Sequence, residues 1–108
     1  MTMRVQVRTL IGAAVLAWAG GAFADDAVPP TPEAGRQAYT SFCVRCHGIN
    51  LNVTSSAYFD LRTFPKDDKS RFVDSVMHGK RQMPAWEGIV KPDQIDAIWA
   101  YIGSVNGW

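Results

Sequence analysis

The chain has 108 residues, room for one domain, with 47% of them hydrophobic and only 19% charged. Eleven basic residues against ten acidic ones leave a formal charge of +1. That balance argues against a basic nucleic-acid-binding surface and against an acidic disordered tail.

Residues 1–24 read as an export signal. Arg4 and Arg8 charge the start, Leu10 to Ala19 form a short apolar core, and Ala22-Phe23-Ala24 offers a small-x-small cleavage site before Asp25. The apolar stretch is about ten to thirteen residues, short of the roughly 20 that a bilayer span requires. Cleavage would leave a domain of residues 25–108 with nine basic and ten acidic side chains, net −1. No later stretch is apolar for long enough to span. The expected product is therefore a soluble protein exported to the periplasm, with no membrane span after signal removal and no nucleic acid as partner.

A domain this small has a thin core and commonly leans on a disulfide, a metal or a cofactor. Thr31-Pro32-Glu33 predicts a helix start, with Thr31 as N-cap, Pro32 at the first helical position and Glu33 near the positive end of the dipole. The helix runs through Gly35, Ala38, Tyr39 and Phe42 to the first cysteine. Gly35 costs about 1 kcal/mol of helix propensity against Ala, which close approach of a second helix would offset. An incidental glycine in an early turn is the plainer alternative.

Cys43-Val44-Arg45-Cys46-His47 is a C-x-x-C-H sequence, the attachment pattern of a c-type haem. Two thiols three positions apart can each form a thioether to a vinyl group on one porphyrin edge, and the next imidazole, His47, is carried under the iron as proximal ligand. A thioredoxin-like dithiol would sit near a βαβ pattern, which this sequence lacks. Structural zinc wants four ligands, and His78 with the two cysteines makes a weak set. A disulfide followed by a chance histidine would tie no distant segments together.

Residues 48–65 keep no sustained period, and Asn50, Asn52, Thr54, Ser55 and Ser56 read as turn formers. A carbonyl within Tyr58-Phe59-Asp60-Leu61-Arg62 is expected to accept the free ring N–H of His47. Arg62 has two readings, a partner for a haem propionate or a solvated side chain. Asp67, Asp68, Lys69 and Arg71 read as mixed surface charge.

Residues 68–77 read as a helix with Asp68 as N-cap, Phe72, Val73, Val76 and Met77 on one apolar stripe, and Gly79 as its stop. Met77 is thus expected in the core and His78 in the last turn. Met83 lies beyond the helix in a loop, where Pro84 biases it toward extended backbone, and it is the candidate sixth ligand. Trp86 is expected to wall the haem edge or to pack beneath the Met loop. Pro92 opens a last helix with Ile95, Ile98, Trp99 and Ile102 on its buried face, Lys91 as an indifferent cap, and Gly103 or Gly107 as the stop. Trp99 or Ile102 is expected to meet Gly35 and Tyr39.

With these features the chain resembles a class I c-type cytochrome over about Thr31 to Tyr101. The resemblance implies an all-α monohaem fold with crossing N- and C-terminal helices, one middle helix and a Met-bearing loop. It also implies one covalent haem c on Cys43 and Cys46, with His47 and Met83 axial. Asp60-Leu61-Arg62, Met83-Pro84-Ala85-Trp86 and Val90-Lys91-Pro92-Asp93 look most like the small cytochromes and haem domains that serve quinoprotein (PQQ) alcohol dehydrogenases. Phe59 stands where many members have the proline whose carbonyl holds the proximal histidine, and Val90-Lys91-Pro92 where many have Leu-Thr-Pro.

Both axial positions filled would leave outer-sphere electron transfer as the chemistry, and so a one-electron carrier rather than an enzyme. The resemblance implies a PQQ-dependent alcohol dehydrogenase as donor and an oxidase or second cytochrome as acceptor, met by transient docking. The competing reading is a haem-based ligand-binding or sensing module with a labile sixth ligand.

Overall fold

The computed structural model describes residues 27–108 and the isolated positions 2, 3 and 12. Apart from those three positions, the segment read as an export signal lies outside the described residues. Four helices carry the fold: α1 (Pro32–Phe42), α2 (Val44–His47), α3 (Lys69–His78) and α4 (Pro92–Asn106). Two 3₁₀ turns, Ile49–Leu51 and Leu61–Thr63, punctuate the long connection between α2 and α3. No strand occurs among the described residues, so the chain is all-α. None of the described helices is long and apolar enough to cross a membrane.

The ends of α1 and α4 follow from local chemistry. Thr31 is extended and its hydroxyl accepts from the Ala34 N–H at 3.3 Å, with Pro32 next in line. At α4 the indifferent Lys91 is rescued from the far side, because Gln94 Oε1 accepts the Lys91 backbone N–H at 2.9 Å. Asp93 adds a long-range tie, its Oδ2 accepting from the Val28 N–H at 2.7 Å. Gly107, at φ 78°, closes α4 in the left-handed region, while Gly103 stays inside the helix.

Asp68 occupies the N-cap position of α3 but does not cap it. Its carboxylate turns instead to Arg71 Nε at 3.4 Å, a charged donor one turn away that outcompetes the backbone N–H groups. Gly79 closes α3 at φ 77°, as expected.

The core forms where α1 crosses α4. Tyr39, Leu51, Ile95, Ile98 and Ile102 are fully buried, and Phe72 and Val76 bring α3 against them. A Cβ on Gly35 would lie 1.8 Å from the Ala97 carbonyl oxygen and 2.8 Å from Tyr101 Cβ, so the crossing requires glycine there. The α4 atoms nearest a Cβ on Gly35 are therefore those of Ala97 and Tyr101 rather than Trp99 or Ile102, while the Tyr39 and Tyr101 rings lie 5.1 Å apart. Helical geometry accounts for the difference. Trp99 points about 160° away from Ala97 around α4. It packs on Phe64 at 5.6 Å and Phe72 at 5.1 Å instead, joining α3 and the middle loop to α4.

Candidate functional site

The chain leaves α1 at Cys43, bends there, and re-enters a single helical turn that ends at His47. Cys43 accepts at its carbonyl from the His47 N–H at 2.9 Å, so the C-x-x-C-H sequence is one wound turn. Thiols at positions i and i+3 share a face of such a turn. Both are free and half-buried. Burial, with Cys46 as a smaller cause, pushes the Cys43 thiol up to about 12. A neutral, buried thiol lacks the low-pKa thiolate that a redox dithiol employs. Among the described residues no group of three or more His, Cys, Asp and Glu side chains is placed to hold a metal ion.

His47 is oriented by the backbone. Its Nδ1 lies 3.1 Å from the Phe59 carbonyl oxygen. A carbonyl only accepts, so Nδ1 carries the hydrogen and Nε2 keeps its lone pair. Burial lowers the imidazole pKa more than the Phe59 hydrogen bond raises it, which favours the neutral ring that a metal requires. The carbonyl sits within the segment expected from sequence. Phe59 serves in place of proline because the acceptor is the backbone oxygen, and the Phe59 side chain itself is 51% exposed.

The turn after His47 is tight. Tyr39, kept protonated by burial, donates its hydroxyl hydrogen to the Gly48 carbonyl. Gly48 has φ 86°, and a Cβ there would meet the Asn52 carbonyl oxygen at 1.9 Å. Asn50 and Leu51 follow with φ of 52° and 64°, and Leu51 is fully buried.

Met83 sits in a hairpin of four residues. Lys80 N–H donates to the Met83 carbonyl at 3.1 Å and Met83 N–H to the Lys80 carbonyl at 3.0 Å, with Arg81 left-handed at the bend. Gly79 makes room, since a Cβ there would lie 2.6 Å from the Met83 carbonyl oxygen. The Trp86 and Glu87 N–H groups donate to the Val76 and Met77 carbonyls, which seats the following turn on the end of α3. Met83 is half-buried against the core cluster, as is Met77. Trp86 packs edge-on against Phe42, ring centroids 5.8 Å apart, next to the first cysteine. His78 is exposed and turned to Asp74 at 2.9 Å.

Arg62 is held within the protein. Its Nε and Nη2 both donate to the Asp60 carboxylate at 3.0 Å, and Nη1 donates to Asn52 Oδ1 at 3.1 Å. Asp60 also caps the turn at Leu61–Thr63 by accepting the Arg62 backbone N–H, and Arg62 holds its carboxyl below the usual carboxylate range. Sequence alone marks Asn52 as a turn former and Asp60 as part of the carbonyl-bearing segment, and shows neither side chain's bond to Arg62. The Asp60-x-Arg62 spacing was the available signal for the cap.

Two thiols on one helical face, an imidazole with a free Nε2 and a half-buried thioether make a donor set that fits one haem c. Comparison with known proteins agrees. Residues 30–102 match the family described as cytochrome C oxidase, cbb3-type, subunit III. The chain is 30% identical over 88 residues to cytochrome c6 of Bryopsis maxima, covering 70% of this chain and 96% of that protein. It is 30% identical over 81 residues to quinohemoprotein alcohol dehydrogenase ADH IIB of Pseudomonas putida, covering 72% of this chain but only 12% of the dehydrogenase. With the cbb3-type cytochrome c oxidase subunit FixP of Bradyrhizobium sp. (strain ORS 278) the identity is 30% over 79 residues, 68% of this chain and 27% of that subunit. The chain belongs to this family of class I c-type cytochrome domains and is an electron-transfer protein carrying one covalently bound haem c.

Proposed function

We propose that the chain is a periplasmic one-electron carrier in which Cys43 and Cys46 hold the haem by thioethers and His47 and Met83 fill the two axial positions. The observation that supports this most is the His47–Phe59 hydrogen bond, which fixes the tautomer with Nε2 available to iron. When bound, the haem supplies a one-electron couple between ferric and ferrous iron.

The residues do the rest. His47 would offer nitrogen from the wound turn and Met83 sulfur from the hairpin at 80–83, and with both bound the iron would have no site for substrate. Thioether ligation favours the reduced metal and raises the potential. Trp86, packed edge-on against Phe42 beside Cys43, would wall the haem edge there. Arg62 would keep one N–H on each terminal nitrogen for a haem propionate while holding Asp60 and Asn52 with the others.

Residues 1–24 are proposed as the signal that delivers residues 25–108 to the periplasm. Amino-terminal sequencing of the exported protein should then begin at Asp25. The likeness to the haem domain of a quinohemoprotein alcohol dehydrogenase supports a PQQ-dependent alcohol dehydrogenase as electron donor, with an oxidase or second cytochrome as acceptor. Stopped-flow mixing of oxidised protein with alcohol-reduced PQQ dehydrogenase tests the donor. The expected result is a reduction rate that rises linearly with dehydrogenase concentration, as transient docking requires. Reduction no faster than by alcohol alone would overturn that donor.

A further inference from the structure

The Phe59 carbonyl is held in place by two loops, and one side chain bridges them. On the carbonyl's own side, Asp60 accepts from the Arg62 N–H, Nε and Nη2, while the Asp60 carbonyl accepts from the Thr63 hydroxyl at 2.8 Å. The next residue, Leu61, is buried, and its carbonyl accepts from Asn106 Nδ2 of α4 at 3.0 Å. On the imidazole's side, Asn52 packs against Gly48, the residue directly after His47, so closely that a Cβ could not fit between them. Arg62 Nη1 reaches across from one loop to the other and donates to Asn52 Oδ1.

We propose that Arg62 is a positioning residue for the His47 imidazole, its guanidinium clasping Asp60 and Asn52 so that the Phe59 carbonyl stays on Nδ1. The proposal rests on the reading of His47 Nε2 as an iron ligand. The Asp60–Arg62 pair is half exposed, 30% and 49% at the side chains, and such pairs add little to stability. What this one fixes is the separation of two loops. A planar fork suits the task, because Asp60 takes one edge of the guanidinium while the remaining nitrogen is left for Asn52. A firm hydrogen bond from Nδ1–H increases the basicity of the coordinating nitrogen, which favours ferric iron. Loosening the clasp therefore raises the midpoint potential.

The test uses the holoprotein with two charge-neutral changes, Arg62→Lys and Asn52→Ala, and Asn52→Asp as a variant that keeps the acceptor. Asn52 is an exposed residue, so its variants should fold. Nitrogen-15 histidine NMR of the reduced protein reads exchange of the His47 ring N–H, and spectroelectrochemistry reads the potential. Exchange should speed about tenfold or more in Arg62→Lys and Asn52→Ala, the loss of one hydrogen bond to a charged group. The potential should rise in both, and Asn52→Asp should restore wild-type exchange. Wild-type exchange in either of the first two variants, fast exchange in Asn52→Asp, or a potential that falls overturns the proposal while leaving His47 as ligand. His47 ring protons without a porphyrin ring-current shift in the unsubstituted protein overturn the axial assignment, and the proposal with it.

Discussion

The imidazole of His47 and the thioether of Met83 come from parts of the chain that fold for different reasons. His47 ends a helical turn and is steered by a backbone oxygen; Met83 ends a hairpin steered by Gly79. Replacing Met83 by Ala should abolish the weak far-red band of thioether-ligated ferric haem and open the ferrous iron to carbon monoxide. Met77→Ala should leave that band intact and cost about 2 kcal/mol in denaturant unfolding, because Met77 is half-buried against the core. A band that follows Met77 instead would reverse the two assignments. Asp60 gives a pH prediction. Arg62 lowers its folded pKa below the ordinary 3.8, so the pair's contribution is present above that value and lost as pH falls through the lower folded one. The stability difference between the unsubstituted protein and Asp60→Asn, followed by chemical unfolding against pH, should be full at neutral pH and shrink only in strong acid. A difference that instead grows in acid would contradict it. The C-x-x-C-H unit is readable from sequence because two thioethers at one porphyrin edge, with an imidazole reaching the iron from the face, would demand near-contiguous residues. The Phe59 carbonyl could be narrowed only to a segment, since a backbone acceptor leaves no mark on side-chain identity. The reach of Arg62 to Asn52, ten positions away, depends on two irregular loops meeting, which no periodicity encodes.

Among the helices, α1 and α4 are the most legible in the sequence. Thr31 and Pro32 mark one start, Pro92 the other, and the apolar residues of α4 keep the helical period. Gly35 itself signals the crossing, but the apolar stripe of α4 points to Trp99 or Ile102 as its partner. Close approach of two backbones selects a small residue instead, and Ala97 is the one that faces Gly35. Gly35→Ala should therefore cost at least about 3 kcal/mol, because backbone must move to admit the methyl group. Gly88→Ala is the comparison. Nothing lies within 4 Å of a Cβ there, so only its positive φ is strained and the loss should be about 1–2 kcal/mol. Equal losses at the two sites, by denaturant unfolding of the holoprotein, would contradict the tight crossing. Asp68 shows the limit of reading a cap from residue type: the same carboxylate serves a helix end or an arginine one turn on, and here Arg71 takes it.

In the molecule as a whole, the crossed helices form a clamp on one side of the site, and α3 with the hairpin forms the other. Both sides meet in one core, with Trp99 touching Phe64 and Phe72 across the gap between them. If residues 1–24 are removed as proposed, residues 25–108 carry a net side-chain charge of −1 and give little long-range steering, so encounter rates with a redox partner should depend only mildly on salt. Association rates that fall steeply with ionic strength would show that a local charged patch dominates docking. The closed iron is the claim on which the carrier function stands, and carbon monoxide tests it directly. Spectra of the reduced holoprotein at neutral pH, recorded before and after saturation with the gas, should superimpose. A rapid, complete shift to the carbon monoxide form would contradict a carrier with both axial positions filled and leave a ligand-binding haem protein in its place.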